Sequence, residues 1–254
     1  MKVLLRYVSI ALRLAVSVGA IWFVSDDIDG AALGQVLQRI DAIWLTTALA
    51  VLALQPVLGT LRWQIVMSGL QPPPPLTELG KITYVSLFFN QILPASVGGD
   101  VIRIVLASRA GARLRDAFAS TALDRAFMLL ALIAMFAVSV GLLNAGPEVP
   151  KAYIDVVIAL TVLVFTGFFV VGFNLLPIWR VPLPFFDRLE GPALQARSVL
   201  RKPRVLGTTF VVSLLSHLNI VASVYMFLLS LGAMVTFAQV LVLMPLVLLA
   251  AVLP

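Results

Sequence analysis

A chain of 254 residues that is 61% hydrophobic and only 12% charged, with a mean hydropathy of +1.06, excludes an ordinary soluble domain, in which about a quarter of residues carry charge. No cysteine and a single histidine exclude disulfides and thiolate metal sites and leave too few ligands for a zinc or haem centre, so no metal or cofactor is expected. The net charge of +6 is a matter of topology rather than of nucleic-acid binding, because Lys and Arg gather in the cytosolic loops of membrane proteins.

Residues 3–24 are the first predicted span, close to the ~20 residues a bilayer core requires. Arg6 can snorkel to the headgroups, whereas Arg13, on the same helical face, sits deeper. A signal peptide fits less well, since Ile21-Trp22-Phe23 follow the small-residue site Val18-Gly19-Ala20. Residues 25–41 hold Asp26, Asp27, Asp29 and Asp41 against Arg39, with Leu33, Val36, Leu37 and Ile40 at helical spacing. They are expected outside, as a helix lying at the interface. Residues 43–67 return to the cytosol with a kink at Gln55-Pro56 and Gly59. That span closes on Arg62-Trp63, either an interface anchor pair or a pair with Arg62 at a cavity mouth.

Gln71-Pro72-Pro73-Pro74-Pro75 is a stiff extended connector after which Leu76 begins a helix. The helix breaks at Asn90-Gln91-Ile92-Leu93-Pro94-Ala95-Ser96-Val97-Gly98-Gly99-Asp100. Pro94 lacks an N–H and disfavours helix before it, and the two glycines admit backbone angles other residues avoid. Residues 101–115 carry Arg103, Arg109, Arg113 and Arg115 without an acid, which makes both ends of 76–107 cytosolic. Arms of about fourteen and about ten residues are each too short to span. A re-entrant hairpin with its tip near 93–99 is therefore predicted, and irregular backbone at that depth belongs beside a protein-covered or wet cavity.

Residues 117–143 form a span bearing Asp124-Arg125 about two turns inside its cytosolic end. Residues 156–175 return. Residues 176–204 make a second cytosolic loop with Arg180, Arg188, Arg197, Arg201, Lys202 and Arg204 against Asp187 and Glu190. Residues 205–231 cross again with His217 and Asn219 at mid-depth, and 237–253 are apolar up to Pro254. The ending Met244-Pro245 to Leu253-Pro254 echoes Leu93-Pro94, so the natural chain is expected to continue and to complete a second re-entrant loop, as repeats do in transporters. The expected fold is thus an all-α polytopic integral membrane protein, a single domain over 1–254 with about six transmembrane helices plus the hairpin.

The residues able to carry chemistry surround the break. Asp100 and Arg103 share a helical face. One reading makes Asp100 a helix cap with a local ion pair; the other makes the Gly98-Gly99 amides, the helix N-terminus and Arg103 a cradle for an anionic headgroup. Asp124 is expected to pair with an arginine of the hairpin, Arg103 first, leaving Arg125 near Asp100 or a phosphate. A structural cross-brace accounts for the same charges equally well. His217 is expected as a helix–helix hydrogen-bonder before a proton relay. No nucleophile constellation, Walker loop or acidic metal cluster is present.

The runs Leu93-Pro94-Ala95-Ser96-Val97-Gly98-Gly99-Asp100-Val101-Ile102-Arg103 and Ala119-Ser120-Thr121-Ala122-Leu123-Asp124-Arg125, with Arg62-Trp63 before them, resemble the membrane domain of the lysylphosphatidylglycerol synthase/flippase family. The resemblance implies re-entrant helices around a lipid-sized cavity and, for the bifunctional members, movement of aminoacylated phosphatidylglycerol between leaflets. It makes Arg62, Asn90, Ser96, Gly98, Gly99, Asp100, Arg103, Asp124 and Arg125 candidate headgroup contacts. The family's aminoacyl-transferring domain is absent from these 254 residues, so lipid synthesis does not carry over, and its second glycine-rich motif falls after Pro254.

The expected function is translocation of a polar or anionic lipid in a bacterial-type inner membrane, with the N-terminus and the loops 101–115 and 176–204 cytosolic. The expected partner is a membrane lipid and no nucleic acid; a homo-oligomer or a lipid-synthesis enzyme are the protein partners left open. Two alternatives stand beside it: headgroup or glycosyl transfer on a lipid carrier, and a non-catalytic partner that recruits a synthase through 176–204.

Overall fold

The computed structural model describes residues 38–92, 98–142, 195 and 197–252, with isolated positions at 19, 34, 155, 159, 162 and 166. The expected first span, the outer interfacial segment up to residue 37, the span 156–175, most of 176–204 and the hairpin tip at 93–97 lie outside the described residues. What is described is helical: α1 (Ala42–Leu52), α2 (Gln55–Ser68), α3 (Leu76–Ile92), α4 (Gly98–Arg109), α5 (Leu114–Leu142), α6 (Pro203–Ser230) and α7 (Phe237–Val252). Three stretches among the described residues are long and apolar enough to cross a membrane: Ala42–Ser68, Leu114–Ser139 and Pro203–Ser230.

Local chemistry sets the helix ends. Asp41 caps α1, its carboxylate accepting from the amides of Ile43 and Trp44 at 2.8 and 3.2 Å. Its own amide donates to the Ser230 carbonyl at 2.9 Å and ties α1 to the end of α6. The kink expected near Gln55-Pro56 is a break at Ala53-Leu54; Pro56 sits in the first turn of α2, where a missing N–H costs nothing, and Gly59 lies inside an uninterrupted α2. α4 and α6 both end on a glycine with positive φ, Gly111 at 96° and Gly232 at 74°. In each, the amide beyond the glycine reaches back to satisfy a carbonyl of the last turn (Ala112 to Ala107 at 3.0 Å, Ala233 to Leu228 at 3.1 Å). Pro245 does not interrupt α7.

The bundle is inside-out. Ile43, Leu49, Val57, Tyr84, Phe88, Val211, Leu215 and Val247 are exposed, whereas Thr60, Arg62, Thr83, Ser86, Arg103, Ser120, Thr121, Asp124, Ser213, Ser216 and His217 are buried. Water rewards the reverse distribution, and a hydrocarbon exterior rewards this one. Most buried hydroxyls bond a carbonyl one turn back in their own helix, as Ser86 does to Ile82 at 2.7 Å and Thr121 to Ala117 at 2.9 Å, so they enter the interior already satisfied. α6 packs along α1, α2, α5 and α7, and α5 also touches α2 and α4.

α3 and α4 pack against each other as the two arms of a hairpin. Both outer ends lie at one end of the bundle: the Gln71 side chain accepts from the Arg113 amide at 3.2 Å, and Lys202 donates to the Gly69 carbonyl at 2.7 Å. Asp116, at the start of α5, accepts from Gln195 at 2.7 Å at the same end. The α4 arm begins beside Arg125, eleven residues past Leu114 and so roughly 17 Å along a helix of about 43 Å. The two arms thus have their outer ends at one end of the bundle, and α4 begins near the depth of the bundle's middle.

Close approach of the two arms fixes one glycine. A Cβ on Gly99 would overlap the Ser86 carbonyl and the Asn90 side chain, whereas one on Gly80 would meet nothing within 4 Å. Gly99→Ala is therefore expected to cost about 1–3 kcal/mol through overpacking, and Gly80→Ala to be neutral or stabilising by up to about 1 kcal/mol from helix propensity. Thermal unfolding of the detergent-solubilised protein measures both; a tolerated Gly99→Ala contradicts the tight α3–α4 contact.

Candidate functional site

The buried charges sit where α2, α4 and α5 meet. Asp124 is 1% exposed in the middle of the bundle, where an unpaired carboxylate is not sustainable. Arg62 of α2 grips it in a fork, Nε to Oδ1 at 2.6 Å and a terminal nitrogen to Oδ2 at 3.1 Å. Arg103 of α4 adds a third hydrogen bond to Oδ2 at 3.1 Å. The remaining Arg62 nitrogen reaches Ser216 of α6 at 3.3 Å and abuts the Met128 sulfur. One carboxylate thereby joins two arginines from different helices.

Arg103 is held from a second side. Its guanidinium lies 3.8 Å over the Trp63 ring, a cation–π contact strengthened by desolvation. The Trp63 indole donates to Ser120 at 3.1 Å, and that hydroxyl donates to the Ala117 carbonyl at 3.0 Å. The Nε of Arg103 is buried and has no hydrogen-bond partner among the described residues. A second pair lies further out: Arg125 of α5 donates twice to Asp100, at 2.9 and 2.8 Å, with the Arg125 side chain 53% exposed and that of Asp100 18% exposed.

All five charged residues line one cleft of about 630 Å³, whose other walls come from Leu52, Gln55, Pro56 and Gly59 around the α1–α2 break and from Thr83, Tyr84, Leu87, Phe88 and Asn90 on α3. Among the described residues three arginines face two aspartates, an excess of one positive charge. Of the cleft's lining, Tyr84, Leu87 and Phe88 are exposed apolar side chains. A volume of several hundred cubic ångströms is the ordinary size of a small-molecule site.

Measured against expectation, Asp124 with Arg103 and Asp100 with Arg125 are the pairs the structure forms, and Asp100 does not form the local pair with Arg103. Arg62-Trp63 is not an interface anchor: Trp63 is fully buried and Arg62 is 5% exposed, because the side chains point inward to Asp124 and Ser120. The Gly98-Gly99 cradle also needs correction. The Gly99 amide donates to Asn90 Oδ1 at 2.9 Å, so it is already committed, and the glycine is required by helix contact. Ser96 lies outside the described residues. His217 bonds through Nε2 to the Met128 carbonyl at 2.9 Å; a carbonyl only accepts, so Nε2 carries the proton and bridges α6 to α5. Asn219 bridges α6 to the α1–α2 break, donating to Gln55 at 3.2 Å. The role of Ser216 had a signal in the sequence: Thr209, Ser213, Ser216, Ser223 and Ser230 fall on one buried face of α6 at spacings of four, three and seven.

A multi-pass helical membrane protein with a charged interior cleft is the class these observations define. The family model of the lysylphosphatidylglycerol synthase transmembrane region matches residues 10–254, and the chain belongs to that family. A UPF0104 membrane protein of Methanothermobacter thermautotrophicus is 32% identical over 72 residues, which cover 28% of this chain and 20% of that protein. The matched stretch thus spans about a fifth of the relative's length. No solved structure matches the chain.

Removing the shared carboxylate leaves two buried cations face to face, whereas removing Arg103 leaves Asp124 with its Arg62 fork. Asp124→Asn is expected to cost about 3–5 kcal/mol and Arg103→Gln clearly less. Thermal unfolding in detergent ranks the two, and the reverse order contradicts Asp124 as the common partner.

Proposed function

We propose that this chain is a lipid translocase of the flippase kind, moving a lipid with an anionic, phosphate-bearing headgroup between the leaflets of an inner membrane. The observation that supports it is the cleft itself, which has an excess positive charge at mid-bundle and the exposed apolar side chains of Tyr84, Leu87 and Phe88 in its lining. A headgroup crossing a bilayer must give up hydration at a cost of several kcal/mol, and fixed charged side chains replace that hydration while the acyl tails stay in lipid. Arginine suits the task because its planar fork matches phosphate and it stays protonated. The basic residues Arg109, Arg113, Arg115, Arg201, Lys202 and Arg204 gather at the end of the bundle where the hairpin begins and returns, which favours a cytosolic orientation for that end.

The test is leaflet exchange of headgroup-labelled phosphatidylglycerol in proteoliposomes. The native protein is expected to speed exchange over empty vesicles, and Arg125→Gln, with its fold verified, to reduce that rate at least about tenfold, the loss of one charge-assisted contact of ~1.4 kcal/mol or more. Absence of protein-dependent exchange for anionic, zwitterionic and polyprenyl lipids alike sinks the proposal.

A further inference from the structure

The two charge layers of the cleft are not equivalent. In the inner one Asp124 is sealed, its carboxylate taken by three hydrogen bonds from Arg62 and Arg103. In the outer one Arg125 is half exposed to the cleft, and both of its contacts go to a single carboxylate, that of Asp100. An anion entering the cleft meets Arg125 first. It finds that guanidinium occupied by a group with the same planar, two-oxygen presentation as a phosphodiester. Asp100 is held there by its position in the first turn of α4, whose opening turn is clamped by the Asn90–Gly99 hydrogen bond.

Resting on the anionic-lipid reading above, we propose that Asp100 is a resident substitute for the substrate's phosphate: the headgroup binds by displacing the Asp100 carboxylate from Arg125. The exchange is charge-balanced at Arg125, one anion leaving as another arrives, and the Asp124 layer stays intact throughout. Asp100 then sets specificity. It keeps Arg125 satisfied in the empty cleft and turns away headgroups too weakly anionic to compete with a carboxylate. Removing it strengthens anion binding, the opposite of what the loss of a structural brace or of a binding residue does.

The experiment measures binding to the full chain in detergent at low ionic strength, with three probes: short-chain phosphatidylglycerol, short-chain diacylglycerol and inorganic phosphate. Asp100→Asn is expected to tighten phosphatidylglycerol binding roughly two- to fivefold, the range to which the worth of a partly exposed ion pair converts. Arg125→Gln is expected to weaken it at least about tenfold. The same order of variants with inorganic phosphate supports the exchange and identifies the free anion as a sufficient ligand; that order with phosphatidylglycerol alone supports it and identifies the lipid. Equal weakening by the two variants, both folded, makes the pair a brace and overturns the proposal while leaving the anionic-lipid reading in place. Native protein that binds phosphatidylglycerol no better than diacylglycerol removes that reading and the exchange with it. If Asp100→Asn does not fold, the arginine Nε–H resonances of the native protein decide. Phosphatidylglycerol must move the Arg125 resonance and leave that of Arg62 in place, and a bound lipid that leaves Arg125 unmoved overturns the exchange.

Discussion

An ionised carboxylate in the interior of a membrane bundle needs partners on both oxygens, and the arrangement around Asp124 follows from that requirement. Its partners come from α2 and α4, so satisfying one side chain of α5 fixes the rotation and height of two other helices. Hydrocarbon gives helices no hydrophobic reason to associate, which leaves packing and polar contacts to specify the assembly. The apolar contacts fit the same register. Trp63 and Met67 of α2, Leu79 and Ile82 of α3 and Ala107 of α4 form one cluster directly beside the charges. A shift of one residue in any of these helices breaks both sets at once.

That 76–107 divides into two helices was legible from Pro94, which acts locally on the backbone; the paired glycines were misread, since both lie within α4 without positive φ and Gly99 answers a tertiary contact. The pairing of Asp124 with Arg103 was legible for a different reason: charges at membrane depth must find each other, and few are available. Arg62 and Trp63 were ambiguous from sequence because an Arg-Trp pair near the end of an apolar run is also what a headgroup anchor looks like. Only the helix rotation separates the two, and that rotation is set by Asp124, 62 residues away. The Gly99 amide misled for the same reason: an unsatisfied helix N-terminus invites an anion, but Asn90 reaches it first across the hairpin.

The α1–α2 break and the hairpin face each other across the cleft, and neither alone makes the site. At the break between α1 and α2, Asn219 of α6 donates to the Gln55 side chain and ties the interrupted segment to α6. Gly59 and Pro56 contribute small side chains to the same cleft that Tyr84 and Phe88 line. Room for a ligand thus lies between the α1–α2 break and the facing arms α3 and α4.

The division of charge into a sealed layer and an open one is what makes such a cleft usable. A site built only of groups like Asp124 is rigid but inert, because both carboxylate oxygens are already taken and any exchange strands a buried ion. A site built only of groups like Arg125 collapses or fills with counter-charge, since nothing holds its helices apart. Here α5 supplies one residue to each layer from adjacent positions, Asp124 turned inward and Arg125 turned toward the cleft, about 100° apart around the helix axis. The inner pair anchors the helix that presents the outer one, so the outer guanidinium can change partners without the bundle changing shape. Adjacent opposite charges, costly on a lipid-facing helix, thereby hold the fold with one side chain and leave the other free to exchange.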